Sequence, residues 1–174
     1  MAREKLLSAE DVQSRVAALA QAMAARIDDD TVCVCLLTGA LWFAGDVMRG
    51  LALAGCNPRF DCLWLASYGD AETSSGRVRT HAPLQRSVAG ARVLLLDDVL
   101  DSGLSLITAR DMVLAQGASE VLISVFARKP WPTSRGVDAD FVAWEAPARY
   151  IIGYGMDAAG RFRGLPDIWA EDAA

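Results

Sequence analysis

Three aspartates follow a strongly apolar stretch in the segment VLLLDDVLDSGLS at positions 93–105. Asp97 and Asp98 are adjacent, Asp101 comes three residues later, and the Ser-Gly-Leu-Ser that follows supplies two hydroxyl groups and a glycine. Adjacent carboxylates can accept hydrogen bonds from sugar hydroxyls or hold a cation. If a helix begins after them, its free N–H groups can bind a phosphate monoester. The spacing therefore indicates a site for a phosphorylated sugar, while Asp and Ser that merely cap an ordinary helix would give the same local pattern.

Two other phosphate chemistries fit the chain less well. A P-loop requires Gly-x4-Gly-Lys-Ser/Thr, and the sequence contains no such string. A phospho-acceptor receiver domain combines acids with a Lys-Pro dipeptide after a strand, and Lys129-Pro130 does follow an apolar run. The receiver fold distributes its acids over two strand ends, whereas all three acids share one turn here. The receiver interpretation therefore fails on spacing.

The spacing of apolar residues predicts an α/β fold around the acidic segment. Apolar runs that suit buried strands alternate with helical periodicity, which is typical of a mainly parallel sheet flanked by helices. We expect strands at about 32–37, 60–66, 92–98, 120–127 and 140–144. We expect helices after Ser8, after Gly39 and over about 105–116. Ligands of such sheets bind beyond the carboxyl ends of the strands, which is where the three acids lie.

The segment GDAETSSGRVRT at 69–80 differs from the predicted strands on either side of it. It is rich in Gly, Ser and Thr, and it is too polar for a core and long for a connection in a compact domain. Long polar loops at the ligand end of a sheet often carry function. We therefore expect a mobile lid over about 67–80.

Composition limits the classes of function. The chain has 174 residues, of which 53% are apolar, so it is long and apolar enough for one folded domain. Its net charge of −5 argues against nucleic-acid binding, which requires a basic face. No apolar run reaches the roughly 18 residues of a membrane span. The N-terminal segment MAREKLLSAEDVQ is charged and carries no signal-peptide core, so we expect a cytoplasmic protein. The cysteines match no common zinc spacing and fit that compartment as reduced thiols; they are Cys33, Cys35, Cys56 and Cys62.

The acidic segment resembles the phosphoribosyl-pyrophosphate motif of type I phosphoribosyltransferases: an apolar strand, two acids, two apolar residues, Asp, and then Ser/Thr-Gly-x-Ser/Thr. Three further segments resemble the hypoxanthine-guanine phosphoribosyltransferase family in the order in which that family carries them. They are LLTGALWFAGDVMRGL (36–51), CLWLASYGDAETSSGRVR (62–79) and YIIGYGMDAAGRFRGLPDI (150–168). The matches cover most of positions 8–168, and four ordered motifs are a specific signal.

The resemblance implies a fold and a reaction. The fold would be a single type I phosphoribosyltransferase domain, with a five-stranded, mainly parallel sheet flanked by helices. Its core would span about 30–145, and the chain termini, about 1–12 and 146–174, would form a small hood. The reaction would be purine salvage: transfer of 5-phosphoribosyl from phosphoribosyl pyrophosphate to N9 of hypoxanthine or guanine, with xanthine as a further candidate. Mg²⁺ would be the cofactor, and the family suggests a homodimer or homotetramer.

The resemblance also assigns roles to residues. Asp101 would act as the catalytic acid or base at the purine. The sugar and its phosphates would contact Asp97, Asp98, Ser102, Gly103, Leu104, Ser105, Thr38, Gly39 and Arg163. The purine would contact Lys129, Tyr150, Ile151 and Asp157, and the lid would be anchored by Ser67 and Tyr68. The metal site would involve Asp97, Asp98 and Asp157.

Some alternatives remain at this point. The rival function is a non-catalytic regulatory protein that senses nucleotides or phosphoribosyl pyrophosphate on the same fold. The family commonly carries a lysine where this chain has Thr38. Arg128 stands beside Lys129, and either residue could face the purine.

Overall fold

A computed structural model describes residues 3–67, 78–130 and 136–171, with the backbone alone at 66, 67, 78 and 79. Nine strands and three helices lie in these ranges. In chain order they are β1 (Arg3–Leu7), α1 (Ala9–Ala24), β2 (Val32–Leu37), α2 (Leu41–Leu53), β3 (Arg59–Ser67), β4 (Val78–Ala82), β5 (Arg92–Leu100), α3 (Leu104–Ala115), β6 (Glu120–Arg128), β7 (Phe141–Glu145), β8 (Tyr150–Ile152) and β9 (Ile168–Glu171).

The main sheet has six strands in the order β4-β3-β2-β5-β6-β7. Five of these strands pair in parallel, as the apolar runs predict: β3, β2, β5, β6 and β7. The sixth strand, β4, pairs antiparallel with β3 at the edge. The expectation of a five-stranded sheet was therefore one strand short. The missed strand, VRTHA, carries no apolar run because an edge strand need not be buried on both faces. It also overlaps the end of the segment that we expected to be a lid.

Helices cover both faces of the parallel strands. On β5, Leu94 and Leu96 belong to the core cluster that contains α1 and α2, whereas Val93 and Leu95 belong to the cluster that contains α3. This alternation follows from the two-residue period of a strand. All four side chains are fully buried, and each contributes about 1.5–3 kcal/mol through burial. A strand buried on both faces holds the backbone of the acids that follow it in a fixed position.

The first helix begins as the sequence predicts. Ser8 is its N-cap: the Ser8 hydroxyl accepts a hydrogen bond from the Asp11 N–H at 3.1 Å, and the Asp11 carboxylate accepts one from the Ser8 N–H at 3.0 Å. This reciprocal pair satisfies N–H groups that have no partner within the helix.

No helix among the described residues is long and apolar enough to cross a membrane.

A second, smaller sheet joins the two ends of the chain. Its strands run in the order β1-β9-β8, and all pair antiparallel. Arg3 of β1 is opposite Glu171 of β9, and their side chains form an ion pair at 2.7 Å. The hood expected from both termini is thus confirmed, and it carries the segment 150–168 to the carboxyl ends of the main sheet.

Candidate active site

The acids of β5 line a cleft of about 370 Å³ at the carboxyl ends of the parallel strands. Three parts of the chain contribute most of its wall: the end of β2 with the loop after it, the end of β5, and the start of α3. Its polar and glycine lining consists of Gly39, Asp97, Asp98, Asp101, Ser102, Gly103, Ser105 and Arg163. Leu36, Leu37, Leu65, Val99, Leu104 and Leu106 complete the wall. We refer to it below as the larger cleft, because a smaller cleft adjoins it.

Asp97 and Asp98 hold their carboxylates at the end of a buried strand. Asp97 accepts a hydrogen bond from the Asp98 N–H at 3.0 Å, and Asp98 accepts one from the Val99 N–H at 2.9 Å. Burial raises the pKa of both carboxyl groups, and the Asp98 charge raises the pKa of Asp97 further. Two close carboxylates that are shielded from water favour a cation or hydroxyl donors as neighbours.

Gly39 lies against Asp98 so closely that no side chain fits between them. A Cβ atom at Gly39 would be 2.0 Å from Asp98 Oδ2 and 2.7 Å from Asp98 Cγ. The peptide bond between Leu37 and Thr38, just before this glycine, is cis. Since Gly39 has no side chain, its backbone lies directly against the acids, as binding of a ligand through N–H groups would require.

The start of α3 faces the same cleft. Gly103 is its N-cap and adopts φ +80°, a conformation that costs glycine little. The first hydrogen bond within the helix runs from the Ile107 N–H to Gly103 O, so the N–H groups that precede it point out of the helix start. One of these groups, the Leu104 N–H, donates to the Ser102 hydroxyl at 3.4 Å. This arrangement can bind an anion through N–H groups and the positive end of the helix dipole.

A smaller cleft of about 190 Å³ adjoins the larger one. The two share Asp98, Val99 and Asp101. The remaining lining comes from the end of β6 and from the hood: Lys129, Tyr150, Ile151, Met156 and Asp157. The Tyr150 hydroxyl donates to the Asp157 carbonyl oxygen at 2.6 Å, which fixes the ring although about half of the residue is exposed. A fixed aromatic face beside a lysine and an aspartate suits a planar heterocycle.

Lys129 and Asp101 form an ion pair at the boundary of the two clefts. The distance from Lys129 Nζ to Asp101 Oδ2 is 3.1 Å, and the lysine side chain is only 16% exposed. Arg128 binds two other acids, Glu145 and Asp138. The structure thus brings Lys129 to the cleft and directs Arg128 elsewhere.

Arg163 connects the two clefts. Its Nη2 lies 2.6 Å from Asp157 Oδ1, and its Nη1 donates to the Gly155 carbonyl oxygen at 2.6 Å. Asp157 also accepts a hydrogen bond from the Gly160 N–H. The guanidinium group that lines the larger cleft is therefore held by residues of the hood.

Comparison with known proteins yields one family. The phosphoribosyl transferase domain model matches residues 8–157. The chain is 32% identical over 164 residues to a hypoxanthine-guanine phosphoribosyltransferase of Bacillus subtilis, covering 94% of this chain and 89% of the relative. It is 32% identical over 174 residues to the protein of that name from Mycobacterium avium, covering 96% and 84% of the two chains. The chain belongs to the hypoxanthine-guanine phosphoribosyltransferase family.

A solved hypoxanthine-guanine phosphoribosyltransferase of L. donovani has the same fold, with a TM-score of 0.87 at 28% identity over 97% of this chain and 96% of that one. The predicted α/β class and the family resemblance are confirmed. The structure places most of the residues expected for a phosphoribosyltransferase site along the two clefts. Thr38 is exposed and does not line either described cleft. Ser67 ends β3, while Tyr68 and the segment 69–77 lie outside the described residues.

The two clefts also contain residues that the sequence did not single out. Val99 lines both clefts, and Met156 lines the smaller one. Both stand inside segments that carry family motifs, but an apolar side chain next to acids gives no signal of its own. Only the folded chain shows that they form walls of a ligand cleft.

Proposed function

We propose that this chain transfers the 5-phosphoribosyl group from phosphoribosyl pyrophosphate to N9 of hypoxanthine or guanine. The observation that carries the proposal is the Asp101–Lys129 pair between the two clefts. One cleft has acids and a helix start suited to a sugar phosphate, and the other has an aromatic face suited to a base. Family membership supports the same reaction. The nucleotide and pyrophosphate would be the products.

The larger cleft would hold the activated sugar. Asp97 and Asp98 would accept hydrogen bonds from the ribose hydroxyls, since ionised carboxylates only accept. The 5′-phosphate would bind at Ser102 to Ser105, where N–H groups and hydroxyls surround the helix start. Pyrophosphate would contact the backbone from Leu37 to Gly39 and the guanidinium of Arg163, which suits bidentate binding of phosphate.

The acids fit a Mg²⁺-bound ligand. Asp97 and Asp98 have raised pKa values because they are buried and close together, and a nearby cation would offset both effects. No group of three or more acidic, cysteine or histidine side chains suited to a metal occurs among the described residues. Mg²⁺ is commonly held by one or two carboxylates plus substrate phosphates, so the substrate would complete the site. Bound Mg²⁺ would neutralise charge on the leaving pyrophosphate. Asp157, the third proposed ligand, contacts Arg163 here and would have to exchange that partner.

The smaller cleft would select the base. Tyr150 would stack on the purine and the backbone of Ile151 would contact its edge. Lys129 carries only donors, so it favours a 6-oxo group and opposes the 6-amino group of adenine. A 6-oxopurine presents N7 and O6 side by side along one edge. The adjacent Asp101 and Lys129 side chains match that edge: one would face N7 and the other would donate to O6.

The proton balance follows from this placement. In the N7-protonated base, the N9 lone pair attacks the sugar carbon C1. The new N9–C1 bond forms as the C1–O bond to pyrophosphate breaks, and pyrophosphate leaves with the bonding electron pair. The N7 proton passes to Asp101, and such transfers contribute about 10²–10⁴-fold. The sugar carbon becomes cationic as the bond to pyrophosphate breaks, so water must be kept away from it. The lid expected over about 67–80, most of which lies outside the described residues, would serve that role.

Measuring product formation from four bases tests the proposal. Hypoxanthine, guanine, xanthine and adenine are each supplied with phosphoribosyl pyrophosphate and Mg²⁺. We expect turnover of hypoxanthine or guanine that is lost on chelation of the metal, and little turnover of adenine. Absence of turnover with every 6-oxopurine would refute the proposed reaction and favour the non-catalytic sensing role instead.

We further propose a cytoplasmic location and assembly into a homodimer or homotetramer. All four cysteines are free thiols in the structure. Burial raises the pKa of Cys33 and of Cys35 to about 12, so these thiols stay protonated. Free cysteines are typical of proteins in a reducing compartment. Size-exclusion chromatography with light scattering measures the mass of the assembly directly.

A further inference from the structure

A partly buried hydrogen bond joins helix α2 to the hood, and neither of its residues has a role in the proposed chemistry. The Tyr154 hydroxyl donates to Asp46 Oδ2 at 2.8 Å, across 108 positions of sequence. Tyr154 is 5% exposed. Burial and the Asp46 carboxylate raise its pKa, so the hydroxyl keeps the proton that it donates. The other oxygen of Asp46 binds Arg49 at 2.7 Å.

The backbone at Tyr154 adopts a conformation that this residue type rarely takes. Its φ is +49°, in the left-handed region, and it stands between Gly153 and Gly155, which also have positive φ. A tyrosine in that region costs free energy, which the surrounding contacts must offset. Its ring packs edge-on against Phe126 at 5.0 Å between centroids, and the Phe126 ring in turn packs against Phe43 of α2. The side chain is therefore fixed at both its ring and its hydroxyl.

The turn that contains Tyr154 contacts the proposed pyrophosphate loop. A Cβ atom at Gly155 would lie 2.0 Å from the Gly39 carbonyl oxygen, so the two backbones are in direct contact. The Gly155 N–H donates to Arg163 O, and Arg163 Nη1 donates back to Gly155 O. Tyr154 thus stands one residue from the point where the loop, the hood and the phosphate-facing arginine meet.

We propose that Tyr154, through its hydrogen bond to Asp46, is a positioning residue that holds Arg163 and the 38–40 loop in register for pyrophosphate. Asp46 lies in the second turn of α2, and α2 begins directly after that loop. The hydrogen bond therefore links the hood, which holds Arg163, to the helix that extends from the 38–40 loop. It thereby fixes the distance between Arg163 and the loop across the larger cleft. This inference rests on the proposed function of the cleft.

The expected effect concerns affinity for the sugar substrate. Without the hydroxyl, a smaller fraction of the free protein has the loop and Arg163 placed for binding pyrophosphate. The apparent affinity for phosphoribosyl pyrophosphate falls in proportion to that fraction. A net hydrogen bond corresponds to about a threefold to tenfold change. Bound phosphoribosyl pyrophosphate itself holds both sides together, so kcat should change little.

The test uses Tyr154→Phe, which removes the hydroxyl and keeps the ring. We expect KM for phosphoribosyl pyrophosphate to rise about threefold to tenfold with kcat within about twofold. The KM for hypoxanthine should change less. Asp46→Asn, made in the protein that keeps Tyr154, retains an oxygen that can accept from the hydroxyl and should therefore keep most of the affinity. Arg49→Gln removes the other partner of Asp46 on the exposed side of α2, and it should leave KM unchanged.

Two results separate failure of this inference from failure of the proposed function. If the wild-type protein turns over hypoxanthine and Tyr154→Phe lowers only the melting temperature with KM unchanged, the tyrosine is merely structural and the inference is overturned. If the wild-type protein neither turns over a 6-oxopurine nor binds phosphoribosyl pyrophosphate with Mg²⁺ in calorimetry, the proposed function fails and the inference fails with it. Weaker calorimetric binding of pyrophosphate with Mg²⁺ to Tyr154→Phe than to wild type supports the inference independently of turnover.

Discussion

Replacing Gly39 by alanine tests whether the close approach of the loop to the acids is needed for catalysis. The added Cβ atom would stand 2.0 Å from Asp98 Oδ2, whereas ordinary contact begins near 3.4 Å. Either the carboxylate or the loop must therefore move by about 1.4 Å, the difference between those two distances. A misplacement of about 1 Å can cost about 10²-fold in rate. We expect kcat/KM for phosphoribosyl pyrophosphate to fall at least about 10²-fold, or about 2.7 kcal/mol.

The matched control is Gly45→Ala, six residues further along the chain. There the atom nearest to a new Cβ is Arg49 Nη1 at 3.8 Å, which is ordinary contact. Because Gly45 lies inside α2, alanine should stabilise the protein by about 0.5–1 kcal/mol and leave the rate unchanged. Initial rates at varied phosphoribosyl pyrophosphate, together with thermal unfolding, separate the two variants. A Gly39→Ala enzyme within threefold of the wild-type kcat/KM would refute the reasoning.

Three further changes test other parts of the site. Asp101→Ala should lower kcat by about 10²–10⁴-fold while the unfolding transition stays cooperative, since it removes the proton acceptor; an unchanged rate would remove Asp101 from the mechanism. Lys129→Gln should narrow the preference for hypoxanthine over adenine, because an amide can present either a donor or an acceptor to the 6-position; competition between the two bases measures the ratio. Asp97→Asn should raise the melting temperature of the ligand-free protein near pH 7 and weaken substrate binding. The raised pKa of Asp97 means that the native state binds more protons than the unfolded state between the ordinary pKa of 3.8 and the higher pKa of the folded protein. Stability therefore falls as pH rises through that window in wild type, and a melting temperature with the same pH dependence in the variant would contradict this.

The sequence predicts the parts of the fold that depend on local pattern. Strand β5 and the acids after it are readable because an uninterrupted apolar run ends in charge. Helix α1 is readable because Ser8 and Asp11 form a capping pair before an amphipathic run. Strand β4 is not readable, since it pairs with β3 at the edge of the sheet and its described side chains, Thr80 to Ala82, are exposed or half-buried.

The contacts that complete the site depend on distant parts of the chain. Gly39 and Asp98 are neighbours because β2 and β5 are adjacent in the sheet, although β3 and β4 separate them in sequence. The hydrogen bond from Tyr154 to Asp46 likewise requires the hood to fold back over α2. Residue types and motif order indicate which side chains belong to the site, while strand order decides which of them touch.

The pairing of β1 with β9 gives the chain a nearly circular path. Because Arg3 and Glu171 are opposite each other, the first and last described residues lie side by side. A short peptide could bridge them, and new ends could be opened at the turn around Gly90, where an added Cβ would meet no atom within 4 Å. Such a permuted chain would retain every pairing of both sheets, since the order of the strands in space does not depend on where the polymer is cut. Synthesis of the protein could then begin at the acid-bearing strand instead of at the hood.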